Sequence, residues 1–254
     1  MTLRHALLAL AFAGVFLIGL LVFAPASLMG YALERFSGGT LLLAQTSGSA
    51  WHGSGVAVLR QKARYRMLGS YRWDLHLFRA ALQIQAGEAA PMTVRYNPIA
   101  GRISVDDLHL ALPASIMEVA APQLVPYQLD GTLEAHSNHL TLDAAGMNGQ
   151  VTMDWARAGS GLSEIRPLGD YRIQLHGNGS GLDAQLSTLS GKLQLTVAGS
   201  FDKTNGMLIN GTAQAASAAA AQELNELLHH MGPEISPGVF TLALMPQPST
   251  TRLP

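Results

Sequence analysis

The sequence predicts a mainly β protein: an N-terminal transmembrane helix, then a curled antiparallel β-sheet (a meander) with two short packing helices. Three observations carry this reading. One long uncharged apolar run stands at the N-terminus, a two-residue hydrophobic period dominates from Thr40 onward, and turn residues punctuate that period at short intervals.

The apolar run comes first. Arg4 and His5 precede Ala6–Phe23, which holds no charged side chain, and the next charge is Glu34. As a helix the run rises about 27 Å at 1.5 Å per residue. Continued through Pro25 to Leu28 it covers a hydrocarbon core of about 30 Å. Leu7, Leu10, Phe12, Phe16, Leu17, Leu20 and Phe23 would face lipid. Arg4 is the only basic residue before the run, so the N-terminus is expected in the cytoplasm and the rest of the chain beyond the membrane. Ala24-Pro25-Ala26 looks like a signal-peptidase site. The run, however, exceeds the usual 7–15 residues of a signal-peptide core, which favours a retained anchor. An amphipathic piece, Leu28–Phe36, follows and is expected to continue the membrane helix until Ser37-Gly38-Gly39 breaks it.

The strands come next. Trp73, Leu75 and Leu77 alternate with Arg72, Asp74 and His76, and Leu108, Leu110 and Leu112 alternate with Asp107, His109 and Ala111. Val151, Met153 and Trp155 repeat the pattern, as do Tyr171, Ile173 and Leu175, and then Leu193, Leu195 and Val197. One apolar and one polar face per strand is the mark of an antiparallel sheet with a solvated side. Turn signals fall at Asn97-Pro98, Ser137-Asn138, Gly146–Gly149, Gly159–Gly161, Gly177–Gly179 and Asn205-Gly206. About a dozen strands result, and accumulated twist should curl a sheet of that size.

Two segments read as helices. Pro113–Ala121 starts on a proline and is stopped by Pro122; Ser217–Met231 carries Ala219, Leu224, Leu227 and Leu228 at helical spacing and ends at Gly232-Pro233. Each follows a run of strands, so the order of elements resembles a duplicated unit. Val239–Leu244 reads as a last strand. The domain plan is therefore a short cytoplasmic end at 1–5, a membrane helix at 6–28, a periplasmic β-rich domain at 29–245 and a flexible tail at 246–254.

Composition narrows the function. Sixteen Lys and Arg against 17 Asp and Glu lack the basic excess of a nucleic-acid binder. The absence of cysteine excludes disulfides and thiolate metal sites. No catalytic set emerges, so no enzymatic activity, cofactor or metal is expected. Asp106 and Asp107 are adjacent on a strand and point to opposite faces. His136 and His139 have a spacing that could hold a metal on a helix, but Ser137-Asn138 between them reads as a hairpin turn. His229-His230 closes a helix, where its partial charge complements the dipole. The apolar face of the sheet is either a core under a helix or an open groove for an acyl chain or a partner strand.

A resemblance enters at Ser47-Gly48-Ser49-Ala50-Trp51-His52-Gly53-Ser54-Gly55. A membrane span followed by this S-G-x-x-W-x-G segment resembles protein N of the bacterial type II secretion system. Leu68–Leu77 with Trp73, Tyr171–Leu175 with Gly177-Asn178-Gly179, Leu189–Leu193 with Gly191, and Gly211-Thr212-Ala213 follow in order. Gly48, Trp51, Gly53, Trp73, Tyr171, Leu175, Gly191, Leu193 and Leu195 are thus the expected motif and core positions. The resemblance implies a non-enzymatic inner-membrane component assisting the passage of folded proteins from the periplasm across the outer membrane. Other secretion-system proteins and membrane lipids would be its partners. The family is also distantly similar to AsmA-like proteins, which implies an alternative: a periplasmic module binding lipid acyl chains in an open apolar groove.

Overall fold

The computed structural model describes residues 19, 22–61, 64–76, 79–120, 122–202 and 206–244. The chain divides into two compact units, Met1–Pro91 and Met92–Pro254. The first contains helix α1 (Ser27–Phe36) and strands β1 (Leu41–Gly48), β2 (His52–Gln61), β3 (Arg64–His76) and β4 (Ala81–Ala86). These four strands pair antiparallel in chain order. Register puts Leu41 opposite Leu59 and Leu43 opposite Ala57, and places Trp73 opposite Gly53 and Ile84. Helix α1 lies on β1, where Gly30 lets it approach Leu43.

The second unit opens with β5 (Met92–Asn97) and β6 (Arg102–Pro113), then the short helix α2 (Ile116–Ala120) and a 3-10 turn at Pro122–Tyr127. Strands β7 (Asp130–Leu142), β8 (Met147–Gly159), β9 (Gly169–Asn178), β10 (Gly181–Gly191), β11 (Leu193–Asp202) and β12 (Gly206–Ala215) follow as a meander. Helix α3 (Ala218–Met231) then crosses the sheet, and β13 (Glu234–Ser236) and β14 (Val239–Leu244) complete the unit. β14 pairs with β12, and β13 lies outside β14.

The core follows from register. Leu112, Leu133, Trp155 and Tyr171 stand in one row across β6–β9, and Leu195, Ala213 and Phe240 line up across β11, β12 and β14. Helix α3 seals this row with Ala220, Leu224, Leu227 and Leu228, all buried. Each such leucine removes enough apolar surface from water to contribute about 1.5–3 kcal/mol. Ser217 caps α3 by accepting the Ala220 N–H at 3.2 Å.

Strand content, the antiparallel meander and the second helix agree with the sequence. Several boundaries do not. Six of the expected lipid-facing residues, Leu7, Leu10, Phe12, Phe16, Leu17 and Leu20, lie outside the described residues. No described helix is long and apolar enough to cross a membrane. Helix does not run on through Pro25 to Leu28: Ala24–Ala26 leaves it, and α1 starts afresh at Ser27. Proline at 25 has no N–H to donate and would clash with the preceding turn.

Ser137-Asn138 is not a hairpin but an irregularity inside β7, with the register shifting between His136 and Leu140. Its polar residues mimicked a turn while the strand merely bulges. Pro122 does not end the chain's helical path but begins the 3-10 turn. Strand β13 and the separate helix α1 went unforeseen. The duplicated order is visible as six strands and a helix, twice, yet the compact units divide at Pro91 rather than after α2.

Truncating Leu224 to Ala should cost about 2–5 kcal/mol, because its side chain is fully enclosed and a cavity would remain. Denaturant unfolding measures this; a loss under about 0.5 kcal/mol, the range of a surface change, would show that α3 does not seal the sheet.

Candidate functional site

Two places gather the motif residues. The first is a collar in the first unit, built from the turn Gly48–Gly53 and the chain entering α1. Ala50 N–H donates to Ala24 O at 2.8 Å, and Ala26 N–H donates to Gly48 O at 3.2 Å. Pro25 and Ser49 form an antiparallel bridge between these bonds. The Trp51 indole N–H donates to Val22 O at 3.2 Å. Ala24 and Ala26 are both buried. The entering segment is thus held as a short extra strand.

The S-G-x-x-W-x-G spacing follows from that geometry. Gly48 has φ +88°, and a Cβ there would stand 2.5 Å from His52 O. Trp51 supplies the indole that reaches Val22. Gly53 leaves room for the Trp73 ring, whose Cζ2 would be 2.5 Å from an added Cβ. Trp73 is buried and donates its indole N–H to Ala50 O at 3.2 Å, steadying the turn from below. At the rim, His52 Nδ1 and Asp74 Oδ1 are 2.5 Å apart. Gly48, Trp51, Gly53 and Trp73 therefore act together. Sequence reading missed their object, Ala24-Pro25-Ala26, which resembled a cleavage site. The signal was present: two small residues around a proline, followed by a tryptophan-bearing turn.

The second place is the apolar face of the second unit. Tyr171, Leu193 and Leu195 are buried beneath α3, and Leu175 is half-buried beside them. Tyr171 Oη donates to Leu193 O at 2.9 Å, and its ring lies 5.5 Å from that of Trp155. Burial pushes the Tyr171 phenol well above its usual pKa, so it remains a donor. Gly191 has φ +129°, and a Cβ there would crowd Leu168 O at 2.5 Å. Beyond α3 the same face continues as a depression lined by Ile173, Leu182, Leu186, Val197, Phe201 and Ile209. Phe201 is exposed there.

The opposite, polar face carries paired charges. Arg172 clamps Asp154 with bonds of 2.7 and 2.8 Å, and these, ahead of its Coulombic pull, hold the Asp154 carboxyl below the usual carboxylate range. Asp106 accepts from His139, 2.6 Å away, and from Arg95; the His139 bond is the largest cause of its lowered pKa. Asp107 is exposed and has φ +54°. His136 stacks edge-on against His109 at 5.0 Å between ring centres, so the H-x-x-H residues go to different partners. Among the described residues no three His, Asp or Glu side chains group so as to hold a metal. His229 packs edge-on against Phe240 at 5.0 Å, a second role for a helix-ending histidine.

An antiparallel meander with a collared N-terminal segment and an apolar face defines a class of mainly β protein. The family comparison is specific: the model of type II secretion system protein N matches residues 40–243, and the chain belongs to that family. It is thereby involved in type II secretion, together with other proteins of that system. No curated protein and no solved structure matches the chain.

Gly53→Ala should displace the Trp73 ring and cost about 1–3 kcal/mol, the usual penalty of overpacking. Trp73 fluorescence should shift to longer wavelength in the Trp51→Phe, Trp155→Phe background; an unmoved spectrum would refute the fit. Asp154, with Arg172 and His136 as its charged neighbours, should add stability above the ordinary carboxylate pKa of about 4. That part is lost as pH falls through the lowered folded value, because the unfolded state then binds the proton more readily. Asp154→Asn should flatten the acid limb of a stability–pH profile, and an unchanged limb would contradict the assignment.

Proposed function

We propose that this chain is a non-enzymatic inner-membrane component of the type II secretion system. Residues 6–23 span the membrane once, the N-terminus is cytoplasmic, and both units lie in the periplasm. The protein acts by binding, helping the machinery that carries folded proteins from the periplasm across the outer membrane. The observation that best supports this is the collar. A segment cleaved after Ala26 would gain nothing from two buried alanines and three backbone-directed hydrogen bonds around it. A retained anchor gains a fixed exit. The paired side chains of the polar face also favour a scaffold: Asp154, Arg172, Asp106 and Arg95 satisfy one another rather than converging on a cleft.

Contacts with other components are expected at sheet edges. β13 is only 3 residues long and covers just the Val239–Phe240 end of β14. A short cover of this kind leaves backbone groups available to a partner strand.

A second reading is favoured by one observation, the apolar depression beyond α3. Apolar surface without cover is suited to an acyl chain, so lipid binding remains the alternative function.

The test is an affinity pull-down of the full-length protein, tagged at the C-terminus, from gently solubilised membranes. Proteins and lipids are both read by mass spectrometry. Inner-membrane secretion components in the eluate are the expected result. Lipid bound in stoichiometric amount without those proteins would move the function to lipid handling.

A further inference from the structure

Helix α1 is amphipathic, and its exposed side mixes large apolar side chains with Ser27 and Arg35. One face, around Gly30 and Leu33, packs on β1 of the same unit. The opposite side carries Leu28 and Tyr31, exposed by 50% and 68%, and Phe36, the last residue of the helix, is exposed by 91%. Phe23, just before the collar, is 83% exposed. Large apolar side chains this open over ten residues are not the scattered singles of an ordinary surface. Leu28, Tyr31 and Arg35 follow the i, i+3, i+7 spacing of one helical face. Arg35 is exposed on that face, while the helix's acid, Glu34, turns toward Arg60 at 3.7 Å.

We infer that the outer face of α1 lies in the membrane interface, with Leu28, Tyr31 and Phe36 in the headgroup–acyl boundary and Arg35 reaching anionic headgroups. This rests on reading residues 6–23 as a membrane span. The occupant follows from where that run ends. Phe23 closes the run, and at most about 14 Å of extended chain separates it from Ser27. The collar removes the remaining slack by bonding Val22, Ala24 and Ala26 to the turn of the first unit. The interfacial layer is itself about 5–7 Å deep on each side of the hydrocarbon. A helix of about 15 Å that starts there, bears aromatic side chains outward and has one basic residue among them meets the requirements of an interfacial helix. Arginine's apolar stem suits such a boundary, since its head can remain with phosphate.

The cysteine-free sequence allows a direct test. Single variants Tyr31→Cys, Phe36→Cys, Leu17→Cys and Glu88→Cys are made in the full-length protein. Each carries an environment-sensitive fluorophore and is reconstituted into phosphatidylethanolamine–phosphatidylglycerol nanodiscs with brominated acyl chains. Probes at 31 and 36 should be quenched about twofold by shallow bromines, as expected for side chains about 5–10 Å into the boundary. The probe at 17 should respond to deep bromines, and the probe at 88 to none. Quenching at 17 with probes 31 and 36 behaving like 88 would overturn the interfacial helix while leaving the span intact, and would assign that face to a protein partner. No quenching at 17 would overturn the span itself. Quenching at 31 and 36 would then stand as surface binding by α1 alone.

Discussion

The alternation of apolar and polar residues along each strand gives every sheet in this protein one face that water must not reach. Most of the remaining architecture answers that demand. In the second unit the answer is α3, whose Leu224, Leu227 and Leu228 close over the row that Trp155, Tyr171 and Leu195 help to form. In the first it is α1, laid along β1. A helix placed between β12 and β14 costs the sheet little, because β14 returns to pair with β12 and restores the ladder. Covering is nonetheless incomplete. One 14-residue helix cannot span a face this wide, and the depression around Val197 and Phe201 is what it leaves.

The collar solves a different problem. Where helical backbone gives way at Phe23, the residues leading into α1 need their backbone groups satisfied. Pro25 ends the helix and removes one donor; Ala50, Gly48 and Trp51 supply partners for the carbonyls and the N–H that remain. Small side chains are required because Ala24 and Ala26 lie against the turn. Two glycines are required because the turn folds back on itself and over Trp73. The family motif can thus be read as one mechanical part, and each of its residues has a separate reason to be there.

Much of the fold was legible in the sequence because its cause is local. The two-residue period at Leu193–Val197 or Tyr171–Leu175 is visible without knowing any partner, and Ser217 with Gly232 brackets α3 by capping chemistry alone. The failures share a cause that is not local. Ser137-Asn138 looked like a turn, yet β7 continues through it because β6 and β8 hold both sides. What holds Ala24-Pro25-Ala26 was equally hidden, because its partners lie more than 20 residues away in sequence. Gly48, Trp51, Gly53 and Trp73 could be picked out, but not what they hold. The division at Pro91 was equally invisible, since no linker composition marks it.

These two devices bear on one another. A collar without an outward apolar helix would only shorten a linker. An outward apolar helix without a collar would be free to turn its Tyr31 and Phe36 inward or toward other copies. Together they set direction. Hydrogen bonds fix where the chain at Val22–Ala26 enters the first unit, and the packing of Gly30 on Leu43 fixes which side of α1 faces β1. The exposed side then has no freedom left except to meet whatever lies beside Phe23. Under the proposed anchoring, an orientation set at the membrane would matter more to a secretion-system component than tight binding at any single sheet edge. It makes every later encounter start from the same geometry.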